Sequence, residues 1–274
     1  MNKRVLKSRP LVLGGFIVIS VVMVAVFAPL IAPMDPNSQS LENRLSGWGT
    51  PGYILGTDQY GRDLLSRLIH GARISLLAGV IAVAVGAVAG LVLGLLSGYF
   101  GGWVDLVIGR IFDVLLAFPT ILLALAIVAA LGPSMTNLII AIGVATTPHF
   151  GRVIRGAILA VRSRDYIVAA EAFGASDFYT MWRHVLPNVL PPVIVTTSLG
   201  IGSAIQTEAT LSFLGLGVSP PTPTWGNIIN DGQAYLGIAP GISLFAGAAI
   251  VVAVVGFSLF GDGLRDLLDP RVRK

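Results

Sequence analysis

Very few side chains in the apolar parts of this sequence have the chemistry of an acid, a base or a nucleophile. Glu208 is the one carboxylate inside an otherwise apolar run, beside Gln206 and Thr207. Because a carboxylate at membrane depth is costly and is kept there for function, Glu208 is a candidate pathway or gate residue. The alternative is a structural role, in which the carboxylate is paired or hydrated near the outer end of its helix.

Familiar catalytic and metal-binding motifs do not occur in the sequence. It contains no H-E-x-x-H zinc motif, no G-x-x-x-x-G-K-[ST] nucleotide loop and no G-x-S-x-G nucleophile motif, and it has no cysteine. We therefore expect no metal, no cofactor and no catalytic residue in this chain. Any ATP hydrolysis that drives it must belong to another protein.

The composition is that of a polytopic membrane protein. Of the 274 residues, 54% are hydrophobic and only 12% are charged, whereas a soluble domain carries about 25% charged residues. An ordinary soluble globular protein is therefore excluded. The formal net charge of +4 is accounted for by membrane topology, and no nucleic acid partner is expected.

A helix that crosses a membrane needs about 20 apolar residues. Intervals without Asp, Glu, Lys or Arg predict six such helices, so the expected fold is an all-α membrane protein. The length of the first apolar run favours an uncleaved helix over a secretory signal peptide. The predicted spans are 11–33, 74–98, 112–131, 136–157, 189–214 and 239–261.

The basic residues predict the orientation. Most of the 18 Lys and Arg residues fall at the two termini and in the segment between the fourth and fifth spans. Since basic residues concentrate on the cytoplasmic side, we expect both termini and this segment to be cytoplasmic. The termini contribute Lys3, Arg4, Lys7, Arg9, Arg265, Arg271, Arg273 and Lys274.

The cytoplasmic segment, about 158–188, has the pattern of two short helices. Residues at i, i+3, i+4 and i+7 predict one face of an amphipathic helix, namely Tyr166, Ala169, Ala170 and Phe173. Gly174 suits a helix end that needs positive φ, Ser176 or Asp177 can cap a second helix, and Pro187 fits a turn into the fifth span. With its small central residues the first helix would fit a groove on another protein; the alternative is a helix on the lipid surface.

This segment resembles the E-A-A-x3-G-x9-I-x-L-P loop of permease subunits of binding-protein-dependent ABC importers, whose coupling helix docks on the ATPase subunit. Val168 stands at the motif Glu position, which Glu171 does not replace, and His184 stands at the motif Ile position. The resemblance implies that the coupling loop includes Ala169, Ala170, Glu171, Gly174, Asp177, Leu186 and Pro187.

Other segments are similar to the C-type permeases of dipeptide, oligopeptide and nickel importers, namely 55–67, 71–76, 211–217, 220–226 and 262–266. The resemblance implies a type I ABC importer permease fold with cytoplasmic termini. It divides the chain into an N-terminal region, 1–73, with the tail, the first helix and an external amphipathic segment, and a permease core, 74–274.

The resemblance also implies partners and a cargo. The chain would pair with a second homologous permease in a bacterial or archaeal cell membrane, with two ATPase subunits that hold ATP and Mg, and with an extracytoplasmic binding protein. Peptides are the expected cargo; nickel, glutathione or oligosaccharides are alternatives. A secondary carrier would need coupling-ion ligands in broken helices, and an intramembrane hydrolase would need a nucleophile and a base; the sequence shows neither.

Three further patterns predict local structure. Asp58 with Arg62 and Asp63 with Arg67 form i, i+4 pairs typical of an exposed helix, which either lies on the outer membrane surface or is simply solvated. The stretch 215–226, rich in Gly and Pro, predicts a loop that forms a rigid outer lip or gate. A strip of small residues in the second span predicts close packing within the chain, a seam between subunits or a seam that slides in a conformational cycle. It consists of Gly86, Gly90, Gly94 and Gly98.

Overall fold

The computed structural model describes residues 8–268, without the side chain of Glu171. This part of the chain is built from α-helices. It contains no sheet, and its two isolated bridges join Thr50 to Tyr53 and Thr57 to Asp63. The predicted all-α class is confirmed.

The helices in chain order are α1 (Arg9–Val26), α2 (Ala28–Ile31), α3 (Leu64–Phe100), α4 (Gly102–Leu116), α5 (Thr120–Leu131), α6 (Met135–Arg162), α7 (Asp165–Ala172), α8 (Asp177–Thr180), α9 (Leu186–Phe213), α10 (Trp225–Gln233) and α11 (Gly241–Leu268). A 3₁₀ turn covers Leu41–Asn43, and a π-helical turn, Met181–Val185, joins α8 to α9 without a break.

Five helical segments are long and apolar enough to cross a membrane: α1, α3, α6, the continuous segment Asp177–Phe213 and α11. The predicted third span is not one straight helix, because α4 and α5 meet at an angle of 88°. Pro119 lies at the break; it has no N–H to donate, and its ring disfavours helical geometry at Phe118. The expectation of an unbroken helix over 112–131 is therefore wrong, and the described chain has six spans if the bent pair is one of them.

The side of the molecule that holds α7 and α8 is taken as cytoplasmic, and the opposite side as outer. Arg9 opens α1, and Arg265 lies in the last turn of α11. The other basic residues of the two termini lie at 1–7 and 269–274, outside the described residues.

The glycine strip of α3 packs against α6. A Cβ atom added to Gly94 would lie 2.7 Å from Gly151 O, and one added to Gly98 would lie 3.0 Å from Ile158 Cβ. The two helix backbones are thus too close for larger side chains. The strip therefore packs closely within the chain.

An apolar core holds five helices together in the outer half of the molecule. It contains buried side chains from α1, α3, α9, α10 and α11, including Leu68, Ile205, Trp225 and Ile242. The Trp225 indole Nε1–H donates to Leu68 O at 3.1 Å, so α10 is fixed against the start of α3.

The outer segment before α3 does not form the exposed helix that its charge spacing predicts. Asp58 and Arg62 do pair, with Nε to Oδ2 at 2.6 Å, but they lie in a loop and are 1% and 4% exposed. Asp63 does not pair with Arg67 but caps α3, since its Oδ2 accepts from Ser66 N–H at 2.8 Å. The charge spacing is that of a helix, but Asp58 and Arg62 lie in a buried loop, and Arg62 also contacts Asp231 of α10.

The predicted loop after α9 is present, but the helix that follows it was missed. Residues 214–224 are not helical, in agreement with their Gly and Pro content. Thr224 then caps α10, as its Oγ1 accepts from Asn227 N–H at 3.1 Å. A threonine followed by an apolar residue is a recognisable N-terminal signal that could have located this helix.

Candidate functional site

The predicted coupling residues lie in one cytoplasmic segment. Ala169 and Ala170 are in α7, Gly174 is in the turn that follows, and Asp177 begins α8. Leu186 and Pro187 form the first turn of α9. The backbone of Glu171 belongs to α7, whereas its side chain lies outside the described part.

The turn at Gly174 ends α7 in the way that the sequence predicts. Gly174 has φ of +83°, and Ala175 N–H donates to Ala170 O at 3.0 Å. A bond from the second residue beyond the helix end to the third-last helical carbonyl defines a Schellman motif. Glycine is favoured at this φ because a side chain there is strained.

The helix after this turn is capped and then runs unbroken into the membrane. Ser176 Oγ accepts from Tyr179 N–H at 3.3 Å, so Ser176 is the cap and Asp177 the first helical residue. Pro187 does not mark the predicted turn into the fifth span. It lies inside a continuous helix from Asp177 to Phe213. Within this helix, a π-helical turn, Met181–Val185, connects α8 directly to α9.

Tyr99, in the last turn of α3, anchors this segment to the membrane helices. Its hydroxyl donates to Asp177 Oδ1 at 3.0 Å. Its carbonyl oxygen accepts from Arg162 Nη1, and the Arg162 guanidinium lies over its ring, with Cζ 5.2 Å from the ring centroid. One residue therefore joins α3 to the end of α6 and to the start of α8.

The two positions that depart from the family pattern have clear surroundings. The ring of His184 lies 6.4 Å from that of Tyr166 and 5.6 Å from that of Tyr179, so it packs between α7 and α8. Val168 is 57% exposed and faces away from the chain. An apolar side chain thus occupies the outward position at which the family motif has Glu.

The outward face of this segment is unusually apolar. Ile167 is the side chain of α7 that is fully buried, whereas Phe173 is 93% exposed. Other exposed apolar or aromatic side chains of α7, α8 and the π-helical turn are Tyr166, Val168, Phe178, Tyr179 and Trp182. Exposed apolar side chains in such number are typical of a surface that another protein or a lipid surface covers. We call Phe173 and these five side chains together the coupling surface.

Glu208 lies at the opposite end of the same continuous helix, about 46 Å from Asp177 at about 1.5 Å per residue. It is fully buried. Its Oε1 accepts from Ser212 Oγ–H at 2.7 Å, and Oε2 has no hydrogen-bond partner among the described residues. The Ser75 hydroxyl of α3 also interacts with this carboxylate. The same Ser75 Oγ accepts from Trp225 N–H of α10 at 3.3 Å. Glu208 therefore lies where α3, α9 and α10 meet.

A buried group of charges lies beyond this junction on the outer side. Asp58 Oδ2 is 3.3 Å from Arg67 Nε as well as bonded to Arg62, and Asp231 Oδ2 is 3.4 Å from Arg62 Nη2 and 3.6 Å from Arg67 Nη2. We call these four residues the outer charge cluster. It ties the loop before α3 to α10. The sequence offered the pair Asp58 and Arg62, but nothing in it pointed to Asp231, which belongs to a distant segment.

The coupling surface, the Glu208 junction and the outer charge cluster are groups of the kind that support protein binding and helix movement. Within residues 8–268 no group of three or more His, Asp or Glu side chains is placed to hold a metal ion. The described site thus consists of an apolar surface on the cytoplasmic side, a continuous helix and a buried polar junction on the outer side.

Comparison with known proteins identifies the family. Residues 90–274 match the family described as binding-protein-dependent transport system inner membrane component, and residues 2–47 match the N-terminal transmembrane domain of oligopeptide transport permease C. The chain is 43% identical to the dipeptide transport system permease protein DppC of Alkalihalophilus pseudofirmus over 99% of this chain and 89% of that protein. It is 45% identical to the glutathione transport system permease protein GsiD of Escherichia coli over 95% and 86%, respectively.

The fold agrees with this result. A solved structure of the MetNI methionine ABC transporter in an inward-facing conformation superposes with a TM-score of 0.61, over 74% of this chain and 96% of that one, at 18% identity. Members of the family are multi-pass transport subunits that work with an ATPase and a binding protein and are not themselves enzymes. This chain belongs to the family of binding-protein-dependent transport system inner membrane components.

Proposed function

We propose that this chain is the permease subunit of an ATP-driven importer of di- or oligopeptides in a bacterial or archaeal cell membrane. It would form the translocation pathway with a second, homologous permease. Two ATPase subunits would bind its cytoplasmic side and hold ATP and Mg, and an extracytoplasmic binding protein would deliver the peptide. The names of the relatives support peptides, including the tripeptide glutathione, over nickel or oligosaccharides.

The coupling surface is the single observation that carries the ATP-driven mechanism. A phenylalanine that is 93% exposed, beside five further exposed aromatic or aliphatic side chains, is costly in water unless a partner covers it. The turn that presents Phe173 is fixed by the Schellman motif, so the surface is preformed. We assign it to the ATPase subunit, with Ala169, Ala170 and Gly174 as the small residues that allow close approach.

The continuous helix from Asp177 to Phe213 supports a mechanical role for this surface. When the ATPases close, they would displace α7 and α8 together. Because α8 continues into α9 without a loop, that displacement reaches the outer end of α9 as a rigid-body movement. The bonds of Tyr99 to Asp177 and Arg162 would pass the same movement to α3 and α6.

We assign Glu208 to the outer gate and not to direct contact with the peptide. It is enclosed by helices of this chain, and its neighbour Ser75 connects it to α3 and, by accepting from Trp225 N–H, to α10. Movement of α9 would separate these helices and hydrate the carboxylate. Burial of a carboxylate with one unpartnered oxygen is unfavourable, so the closed junction is poised to open.

Reconstitution tests this proposal. Proteoliposomes that hold the chain, its second permease and the ATPases should take up a labelled dipeptide only with the binding protein outside and ATP at the ATPase side. Vesicles without the ATPases are the control and should show no uptake, with or without an ion gradient. Uptake by the permeases alone, driven by such a gradient, would identify a secondary carrier and contradict the proposal.

A further inference from the structure

A groove that the transport mechanism does not use lies between α1 and α3. Its volume is about 370 Å³. Val22, Ala25 and Val26 of α1 form one wall and Leu77 and Val80 of α3 form the other, and Arg73 stands at one end. Val22, Leu77 and Val80 are 40%, 44% and 42% exposed, so the groove opens on the surface of the described chain.

The position of Arg73 along α3 places this end of the groove at the level of lipid headgroups. Arg73 lies about 40 Å from the cytoplasmic end of α3 at Phe100, at about 1.5 Å per residue. A bilayer is about 40 to 45 Å thick with its headgroups and about 30 Å without them. Arg73 is thus at the outer headgroup level, and Val80, about 10 Å further down the helix, is at the level of the acyl chains.

Arg73 is charged and has no ion-pair partner among the described residues, whereas Arg62 and Arg67 nearby in sequence are both paired with carboxylates. Asp35 is the carboxylate near this end of α3, since both it and Arg73 act electrostatically on His70. Asp35 accepts a hydrogen bond from Asn37 N–H at 2.7 Å and forms no ion pair with Arg73. Arg73, Leu77 and Val80 follow one another at helical spacing, so the guanidinium and the apolar wall share one face.

We propose that this groove binds an anionic phospholipid of the outer leaflet, with its phosphate on Arg73 and one acyl chain between α1 and α3. A guanidinium is matched to a phosphate in geometry and charge. The apolar walls below it are matched to a hydrocarbon chain. An apolar helix of another subunit fits less well, because it would enclose Arg73 without a counter-charge.

The test is native mass spectrometry of the full-length chain in mild detergent, titrated with phosphatidylglycerol. The wild-type chain should bind one lipid at least five-fold more tightly than Arg73→Gln, and Arg73→Lys, which keeps the charge but not the planar fork, should fall between the two. Val22→Trp, which fills the groove, should also lose the lipid. Val12→Trp is its matched control, since Val12 is in the same helix, is 43% exposed and does not line the groove.

Three results would overturn the proposal. The first is equal affinity of the wild-type chain and Arg73→Gln, in variants that elute as folded protein. The second is displacement of the lipid by glycerol phosphate or inorganic phosphate alone at comparable concentration, which would indicate a site for a soluble anion. The third is cross-linking of Val22→Cys to the second permease in the assembled transporter. The chain has no other cysteine, so such a cross-link would be specific.

Discussion

The hydroxyl of Tyr99 donates a hydrogen bond to the carboxylate of Asp177 across 3.0 Å, and this bond joins the cytoplasmic end of α3 to the first residue of α8. The two residues are far apart in the sequence, and neither pattern nor spacing connects them. Tyr99 is 2% exposed whereas Asp177 is exposed, so the bond lies at the boundary between the buried core and the surface. It links the coupling surface to a helix other than the one that continues from it.

Tyr99→Phe removes this bond and keeps the ring. A hydrogen bond to a charged group contributes about 1.5 to 3 kcal/mol. We expect the assembled transporter to stay intact while the stimulation of ATP hydrolysis by the binding protein falls severalfold. Tyr60→Phe is the control, because Tyr60 is half exposed and lies in the outer loop, outside the coupling surface. Unchanged stimulation in Tyr99→Phe would remove α3 from the coupling route.

Substitutions of Gly174 separate strain from charge at the turn after α7. Its φ of +83° is costly for alanine and less so for asparagine. We expect membrane insertion in all variants, with ATP-driven uptake close to normal for Gly174→Asn, reduced for Gly174→Ala and lost for Gly174→Asp, which adds a charge at the docking surface. The measurement is uptake by vesicles with equal amounts of inserted protein. Normal uptake by Gly174→Asp would contradict the assignment of this turn to coupling.

Phe173→Ser tests whether the coupling surface is covered by the ATPase. Because this ring is 93% exposed, its loss should leave the isolated permease as stable as before, within about 0.5 kcal/mol. Affinity for the ATPase should fall about ten-fold or more, as expected for an aromatic anchor. Phe16→Ser is the control, since Phe16 is 72% exposed but lies in α1. ATPase binding can be measured by co-purification at decreasing concentration. Equal retention by both variants would place the ATPase contact elsewhere.

The elements that could be predicted from the sequence are those whose signal is local. Long apolar intervals locate α3, α6 and α11, and the Gly174 and Ser176 signals locate α7 and α8. The bend between α4 and α5 was not predicted, because the length of a charge-free interval says nothing about the direction of the helix. Pro119, at the bend, was the available signal. The outer charge cluster was not predicted, because Asp231 contacts Arg62 and Arg67 only through the packing of α10 near the start of α3. Charge spacing alone therefore predicted an exposed helix, whereas Asp58 and Arg62 form a buried ion pair in a loop.

Arg67→Met tests the outer charge cluster. The side chain of Arg67 is 3% exposed, and its removal leaves Asp58 and Asp231 with one cation, Arg62, to share. Removal of one partner of a buried ion pair costs about 3 to 5 kcal/mol. We expect a fall in the thermal unfolding temperature of several degrees. Arg110→Met should have almost no effect, because that side chain is 76% exposed and 3.9 Å from Asp113.

A double variant shows whether the loss comes from the cluster or from packing. Asp58→Asn with Arg67→Met removes one charge of each sign and should be less destabilised than the sum of the two single variants. Additive losses would indicate that the Arg67 side chain contributes through its hydrocarbon part, and the cluster would then not be the link between the loop and α10.

Glu208→Gln tests the outer gate. Glutamine has nearly the same shape as glutamate and can still accept from Ser212 Oγ–H, but it is less costly to bury than a carboxylate with an unpartnered oxygen. The closed junction of α3, α9 and α10 should therefore become more stable. We expect an unfolding temperature equal to or above that of the wild type, together with a severalfold slower ATP-driven uptake, because opening now loses the gain from hydrating the carboxylate.

The two measurements on Glu208→Gln must be read together. A purely structural carboxylate would leave uptake unchanged when stability is unchanged or higher. Gln206→Glu is a useful companion, as Gln206 is exposed on the same helix and a carboxylate there is not enclosed. If slow uptake in Glu208→Gln came from a general change in charge at this end of α9, Gln206→Glu should alter uptake as well. If it comes from the buried junction, Gln206→Glu should transport normally.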